Sequence, residues 1–326
     1  MEKEDLLRCI QEKVKNNNIR FPSQINFHID NGILFIRIKK DAVCNNMQTD
    51  GAAFEGWAIC IKSWLPEIVG SFVLGWERPQ KDMSQVSKKN NNKRLHYHRF
   101  LYRALRFSEF YEWCSISEDN IAEIEDFKKE LTGLQNNSFS EKPGIKGINI
   151  EGEKSFKLSE TIIEYLLAND LSAYMKKQFN LEVVDRQFPV GVKKNNAQFF
   201  TGSMSAIDLW GTKGDILTII ELKYNGGDSK NIKVGIISEL FMYSCIMKDI
   251  LEGIILPPNN TPIENEKDFY IRHKEFKHIV ARMLSDKYHP LLENDQVLSL
   301  MNQNRTMEEN IDIKYYKTTY QLFEMI

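Results

Sequence analysis

Apolar and polar positions alternate with two different periods along this chain. Residues 25–30 and 33–38 alternate with period two around Asn31-Gly32, the pattern of two strands joined by a type I′ turn. Residues 51–65 switch to helical spacing, with Phe54, Trp57, Ala58, Ile61 and Leu65 on one stripe and Pro66 as the stop. Residues 71–76 predict a further strand, 83–94 a polar loop rich in Asn and Lys, and 95–113 and 119–131 two more helices. From 131 to 154 apolar content falls and Gly, Asn, Ser and Lys take over, the composition of an interdomain linker. Beyond it, 156–178 predicts a helix, 181–192 a strand, 206–223 a hairpin, 232–251 a helix and 252–256 a short strand stopped by Pro257-Pro258. Residues 275–285 predict a helix whose basic members are Lys274, Lys277, His278 and Arg282. Residues 312–320 predict a late strand in which Tyr315 and Tyr316 sit among Lys314 and Lys317; edge-strand packing is the reading preferred over stacking on bases. The fold class expected is α/β, with an α+β unit over 1–135, a linker at 136–154 and a second unit over 155–326.

The hairpin at 206–223, AIDLWGTKGDILTIIELK, breaks its own pattern. Its second strand is apolar at Ile216, Leu217, Ile219, Ile220 and Leu222, as in a strand buried on both faces. Yet it closes with Glu221 and Lys223, two residues apart and therefore on one face. Buried charges of this kind are costly unless paired or turned toward a polar cleft. Gly214-Asp215 suits a two-residue type II′ turn, which pairs Lys213 with Ile216 and, counting back, sets Asp208 opposite Glu221. Two carboxylates facing each other are destabilising unless a cation lies between them, and a divalent metal is the candidate. A five-residue GTKGD turn would slip the pairing by three residues and remove that argument.

Composition narrows the function classes. The chain has 326 residues, 42% hydrophobic and 27% charged with a formal net charge of −2, so it is globular and not strongly basic overall. Any nucleic-acid contact must come from local patches. Five scattered cysteines, odd in number and without a CxxC pair, suit a reducing compartment and supply no zinc site. The opening MEKEDLLRCIQEKVKNN is a charged amphipathic helix rather than a secretory signal, and no apolar run approaches the roughly 20 residues of a membrane span. The expectation is a cytoplasmic protein with no membrane partner. The densest basic region is Lys88, Lys89, Lys93 and Arg94 with His96, Arg99, Arg103 and Arg106, the last four spaced three, four and three apart on one helix face. Such a stripe can track a phosphate backbone. The alternatives are a solvated face, slightly preferred, or pairing with the acidic helix that carries Glu118, Asp119, Glu123, Glu125 and Asp126. His96 and His98 form an HxH without a third ligand close in sequence. Near the start of the 156–178 helix, Thr161-x-x-Glu164 fits a capping box.

Helix, strand, strand, strand, helix, strand, with Asp208 after an apolar Ile207 and twelve residues between it and Glu221-Leu222-Lys223, resembles the PD-(D/E)xK nuclease superfamily over about residues 155–256. The proline of the family motif is absent before Asp208. The resemblance implies a restriction-endonuclease-like mixed sheet flanked by helices. It implies Mg²⁺ or Mn²⁺ held by Asp208, Glu221 and the Leu222 carbonyl, and Lys223 acting on the attacking water or the transition state. It also implies a further carboxylate from Glu160, alternatively Glu164, and a site-facing Glu239 on the following helix, where a surface acid is the alternative. The activity implied is phosphodiester hydrolysis, in DNA ahead of RNA, in a setting such as bacterial defence or restriction. The first unit would then recognise substrate, a protein partner or a second copy of the chain. The alternative to a metal site is an internal ion pair, Lys223 neutralising Glu221 with Asp208 exposed at a turn. Separately, the rival function is a catalytically silent nuclease-like module for nucleic-acid binding or assembly, against which intact Asp208, Glu221 and Lys223 argue.

Overall fold

In the computed structural model, which describes residues 1–79, 88–139, 159–200, 202, 205–226, 233–259, 262 and 264–321, both hairpin turns form in the register their residues dictate. Asn31 and Gly32 take φ of 48° and 79°, so β1 (Ile25–Asp30) and β2 (Ile33–Ile38) close through a type I′ turn. Ile25, Phe27, Ile29, Leu34, Ile36 and Ile38 are buried, and the residues between them are more exposed. Next come β3 (Ser71–Trp76) and β4 (Cys114–Ile116), which continue the sheet in parallel in the order β1-β2-β3-β4. Four helices accompany it: α1 (Lys3–Val14), α2 (Phe54–Trp64), α3 (Lys88–Phe110) and α4 (Glu118–Glu130). Helix α3 begins at Lys88, so the second half of the expected 83–94 loop is helical, because adding turns to a nucleated helix is cheap even through Asn and Lys. Residues 80–87 lie outside the described residues.

A short strand, β5 (Leu134–Asn136), falls where the linker was expected to begin. It pairs with β7 (Val192–Lys194) and β11 (Ile255–Leu256) in a sheet of order β11-β5-β7-β8, closed by β8 (Ala197–Phe200). Residues 140–154 of the expected linker lie outside the described residues. The expected 156–178 helix is two: α5 (Glu160–Ala168) and α6 (Ser172–Phe179). They part where Asn169 donates its side-chain amide to the Tyr165 carbonyl at 2.9 Å, the competition with the backbone that makes Asn a helix terminator.

The largest sheet has order β13-β12-β10-β9-β6: β6 (Val183–Pro189), β9 (Ala206–Lys213) and β10 (Ile216–Lys223) antiparallel, then β12 (His278–Ser285) and β13 (Asp312–Thr319) parallel to β10. Residues 278–285 are thus a strand where a helix was expected. Ile279, Ala281 and Met283 alternate inward, while Arg282 lies over the Phe179 and Tyr316 rings at 4.6 and 4.8 Å. The expected helix here is displaced to α8 (Glu264–Arg272). The expected strand at 252–256 shrinks to β11 and leaves this sheet, so β12 is the strand that follows α7 (Gly235–Leu251) beside β10. β13 takes the sheet edge, as its residues suggested.

Helix α7 is buried along its whole length, packed on β10 and β12 on one side and on α2 and α3 on the other. Against the opposite sheet face lie α5 and α6, whose Ile163, Leu167 and Met175 join Leu209, Ile220, Leu222 and Leu284. Leu217, Ile219 and Trp210 belong instead to the main core, continuous from Leu6 through α2, α3 and α7 to Tyr315, with α9 (Gln296–Met301) at its margin. The mixed α/β class is as expected. No helix among the described residues is long and apolar enough to cross a membrane.

Candidate active site

Gly214 takes φ of 56°, the positive value that a type II′ turn requires at its first central position, and Lys213 pairs with Ile216. The ladder runs on through Leu217–Thr212 and Ile219–Trp210 to Ile220–Leu209, so the next step places Asp208 opposite Glu221. At that step the side chain replaces the backbone: the Leu222 amide donates to Asp208 Oδ2 at 2.9 Å. The two strands open there, and Asp208, Glu221, Lys223, Glu160 and Glu239 line one cavity of about 420 Å³.

Each carboxylate reaches the cavity from a different element. Glu221 comes from the end of β10 and is 2% exposed; Glu239 comes from α7 and is 1% exposed, so it is no surface acid. Glu160, in the first turn of α5, accepts from the Tyr224 amide at 3.2 Å. Lys223 ties them together, its Nζ 2.5 Å from Glu221, 3.1 Å from Glu239 and 3.7 Å from Glu160. Ser159, not Thr161, caps α5, accepting from the Ile162 amide at 3.4 Å. Glu164 is thereby free of the expected capping box and is buried, with Gln187 donating to it at 2.8 Å and Arg186 at 3.4 Å. Gln187 holds φ of 56°, a left-handed value costly for a glutamine, beside the site.

Charge is concentrated here beyond what Lys223 offsets. Burial pushes the Asp208 carboxyl up to about 8, with Lys223 opposing and Glu160 and Glu164 adding to the rise. Burial, then Asp208 and Glu239, drive Glu221 well above the carboxylate range. Burial pushes Glu164 up to about 7, opposed by Gln187 and Arg186. On Lys223 burial works the other way, but Glu221, Glu239, Asp208 and Glu160 outweigh it and hold the ammonium protonated. Glu221 Oε2 is buried without a hydrogen-bond partner among the described residues. A buried carboxylate oxygen left bare, next to a second carboxylate, fits a hard cation that takes oxygen ligands. Among the described residues no three His, Cys, Asp or Glu side chains are drawn together as a finished metal shell. Mg²⁺ does not require one, since it is held by one or two carboxylates and keeps its remaining positions for water and phosphate oxygens.

The first half of the chain also lines this cavity, a convergence that sequence reading did not place. Asn46, Met47 and Gln48 approach from the loop after β2, and Leu95, His96 and Arg99 from α3. Gln48 donates its side-chain amide to Glu239 Oε1. This contact depends on Gly235, where a Cβ would stand 2.5 Å from the Gln48 carbonyl. Residues 191 positions apart meet here, and no local pattern announces them.

The basic stripe on α3 does not face solvent. Arg103 is buried and forks onto Glu55, with Ser238 completing that carboxylate's bonds. Arg106 holds Asp249 through two contacts of 2.8 Å, and Tyr102 donates to the same carboxylate at 2.7 Å. These two arginines knit α3 to α2 and α7 and are in place neither for a phosphate backbone nor for the acidic α4. Lys93 is exposed, and Arg94 is half-buried with a 3.4 Å contact to the Gln198 carbonyl. The Lys88 and Lys89 side chains lie outside the described part of the structure. His98 turns away to the Phe199 carbonyl at 3.0 Å, so the HxH pair does not converge. No family model, curated protein or solved structure matches the chain.

Proposed function

We propose that this chain is a divalent-metal-dependent nuclease. The observation that carries the reading is the convergence of Asp208, Glu221 and Lys223 in one cavity, with Glu239 and Glu160 beside them. The order of α5, β6, β9, β10, α7 and β12, with β12 parallel to β10, supports the restriction-endonuclease-like assignment. Asp208 and Glu221 would hold Mg²⁺ or Mn²⁺, with the Leu222 carbonyl beside them as a third oxygen. Such a cation lowers the pKa of water it binds and offsets the charge of the phosphate. Lys223 keeps its proton in this arrangement, so its part is to orient the attacking water and stabilise charge at phosphorus as a fixed cation. Glu221 and Glu239 hold that ammonium in place. DNA is the substrate favoured over RNA.

The second reading, a silent nuclease-like module, draws on Lys223 already being engaged by carboxylates. Incubation with single- and double-stranded DNA and RNA in Mg²⁺, Mn²⁺ or EDTA separates the two. The nuclease reading expects cleavage that EDTA, Asp208→Asn and Lys223→Met each abolish. Cleavage that persists in Asp208→Asn overturns the site; no cleavage of any substrate favours the silent module.

A further inference from the structure

Arg99 is the one arginine of the α3 stripe that the fold leaves without a carboxylate among the described residues. It is 8% exposed and lines the same cavity as Asp208 and Glu221; among the described residues it forms no ion pair and its Nε has no hydrogen-bond partner. Its neighbours on the stripe, the buried Arg103 and the partly buried Arg106, each grip a buried carboxylate. Taking a guanidinium out of water without a partner costs several kcal/mol, so the contrast needs a cause. One helical turn earlier, His96 lines the same cavity, its Nδ1 buried and without a partner among the described residues. Burial and the charge of Arg99 press His96 down to about 4, so it is a neutral imidazole with one N–H to give. Tyr243 and Glu239 favour the Arg99 charge through space, but Glu239 is engaged by Lys223 and Gln48 and makes no ion pair with Arg99 among the described residues. One cavity is therefore lined both by the carboxylates and by a cation that no carboxylate pairs among the described residues.

We propose that Arg99, assisted by His96, is an anion-holding group that takes the non-bridging oxygens of a substrate phosphate whose opposite side faces Asp208 and Glu221. A guanidinium matches phosphate through two parallel N–H···O bonds, which fixes orientation as well as charge. The first half of the chain would then complete the site rather than merely cover it. The inference rests on the nuclease reading for the identity of the anion as a phosphodiester, but not for the existence of an anion site.

The test uses the full chain carrying Asp208→Asn, in EDTA, with thymidine 5′-monophosphate as probe in calorimetric titration. The probe binds, Arg99→Met in that background weakens it by roughly tenfold or more, and Arg99→Lys falls between. Unchanged affinity in Arg99→Met, or no binding to the parent at millimolar probe, overturns the proposal. Thermal melting guards against a folding artefact: because Arg99 makes no ion pair, Arg99→Met without probe melts at or above its parent. A fall as large as that of Arg103→Met would make Arg99 structural and overturn the proposal as well. The two readings fail separately. Arg99-dependent binding without cleavage of any substrate would sink the nuclease and keep the anion site. Asp208-dependent cleavage with Arg99-independent binding would do the reverse.

Discussion

Asp208→Asn should make the metal-free protein more stable while abolishing its activity, and the size of the gain follows from the site. Asp208 has an ordinary value of 3.8 and a folded-state value of about 8, because burial and neighbouring carboxylates disfavour its charge. Since the folded value lies above the unfolded one, the folded chain binds the proton more tightly. The stability this group contributes is present below about pH 4 and is lost as pH rises toward 8. At pH 7 about three pH units of that interval count, each about 1.4 kcal/mol, which sets a ceiling on the order of 4 kcal/mol. Charge shared with Glu221 and solvent at the cavity mouth reduce the realised figure to on the order of 2 kcal/mol. Asparagine keeps an oxygen for the Leu222 amide and carries no charge to bury. The assay is urea denaturation in EDTA at pH 5 and pH 8, followed for wild type and variant. Wild type should lose stability between the two, and the variant should lose less and exceed wild type at pH 8. A flat wild-type profile, together with a variant weaker at both values, would refute the reasoning, because the cluster would then be a satisfied ion-pair network.

Three further outcomes are expected. Lys223→Met leaves Glu221 and Glu239 without their cation and should cost about 3–5 kcal/mol of metal-free stability, read by the same denaturation, with cleavage lost. Arg103→Met strands the buried Glu55 and should cost about 3–5 kcal/mol, while turnover per folded molecule stays unchanged, since Arg103 touches α2 and not the cavity. Gly235→Ala drives a methyl into the Gln48 carbonyl and should cost about 1–3 kcal/mol. It should also lower cleavage, because Gln48 is pushed off Glu239; full activity would show that contact to be dispensable.

The part of the site legible in the sequence is the part that local rules govern. A two-residue turn at Gly214-Asp215 fixes a register, and a register fixes which side chains face each other, so Asp208, Glu221 and Lys223 could be placed together by counting. Glu239 was directed at the site only by the resemblance, and its burial follows from α7 lying between the large sheet and α2 and α3. Residues 278–285 were misread because the basic residues 274, 277, 278 and 282 fall at helical intervals, while pairing with β10 and β13 favours the strand. The stripe on α3 was legible as a face but not as a destination. Whether an arginine meets Glu55, Asp249 or an open cavity depends on elements 48 to 143 residues away. Gln48 belongs to the same class.

The most direct test of the central claim is a calorimetric titration of Mn²⁺ into the full chain, repeated in two buffers of different ionisation enthalpy. Carboxylates whose proton affinity burial raises release protons when a cation takes them. The account predicts Mn²⁺ binding with net proton release near pH 7, lost in both Asp208→Asn and Glu221→Gln. Absence of binding, or binding that survives both substitutions, would contradict it.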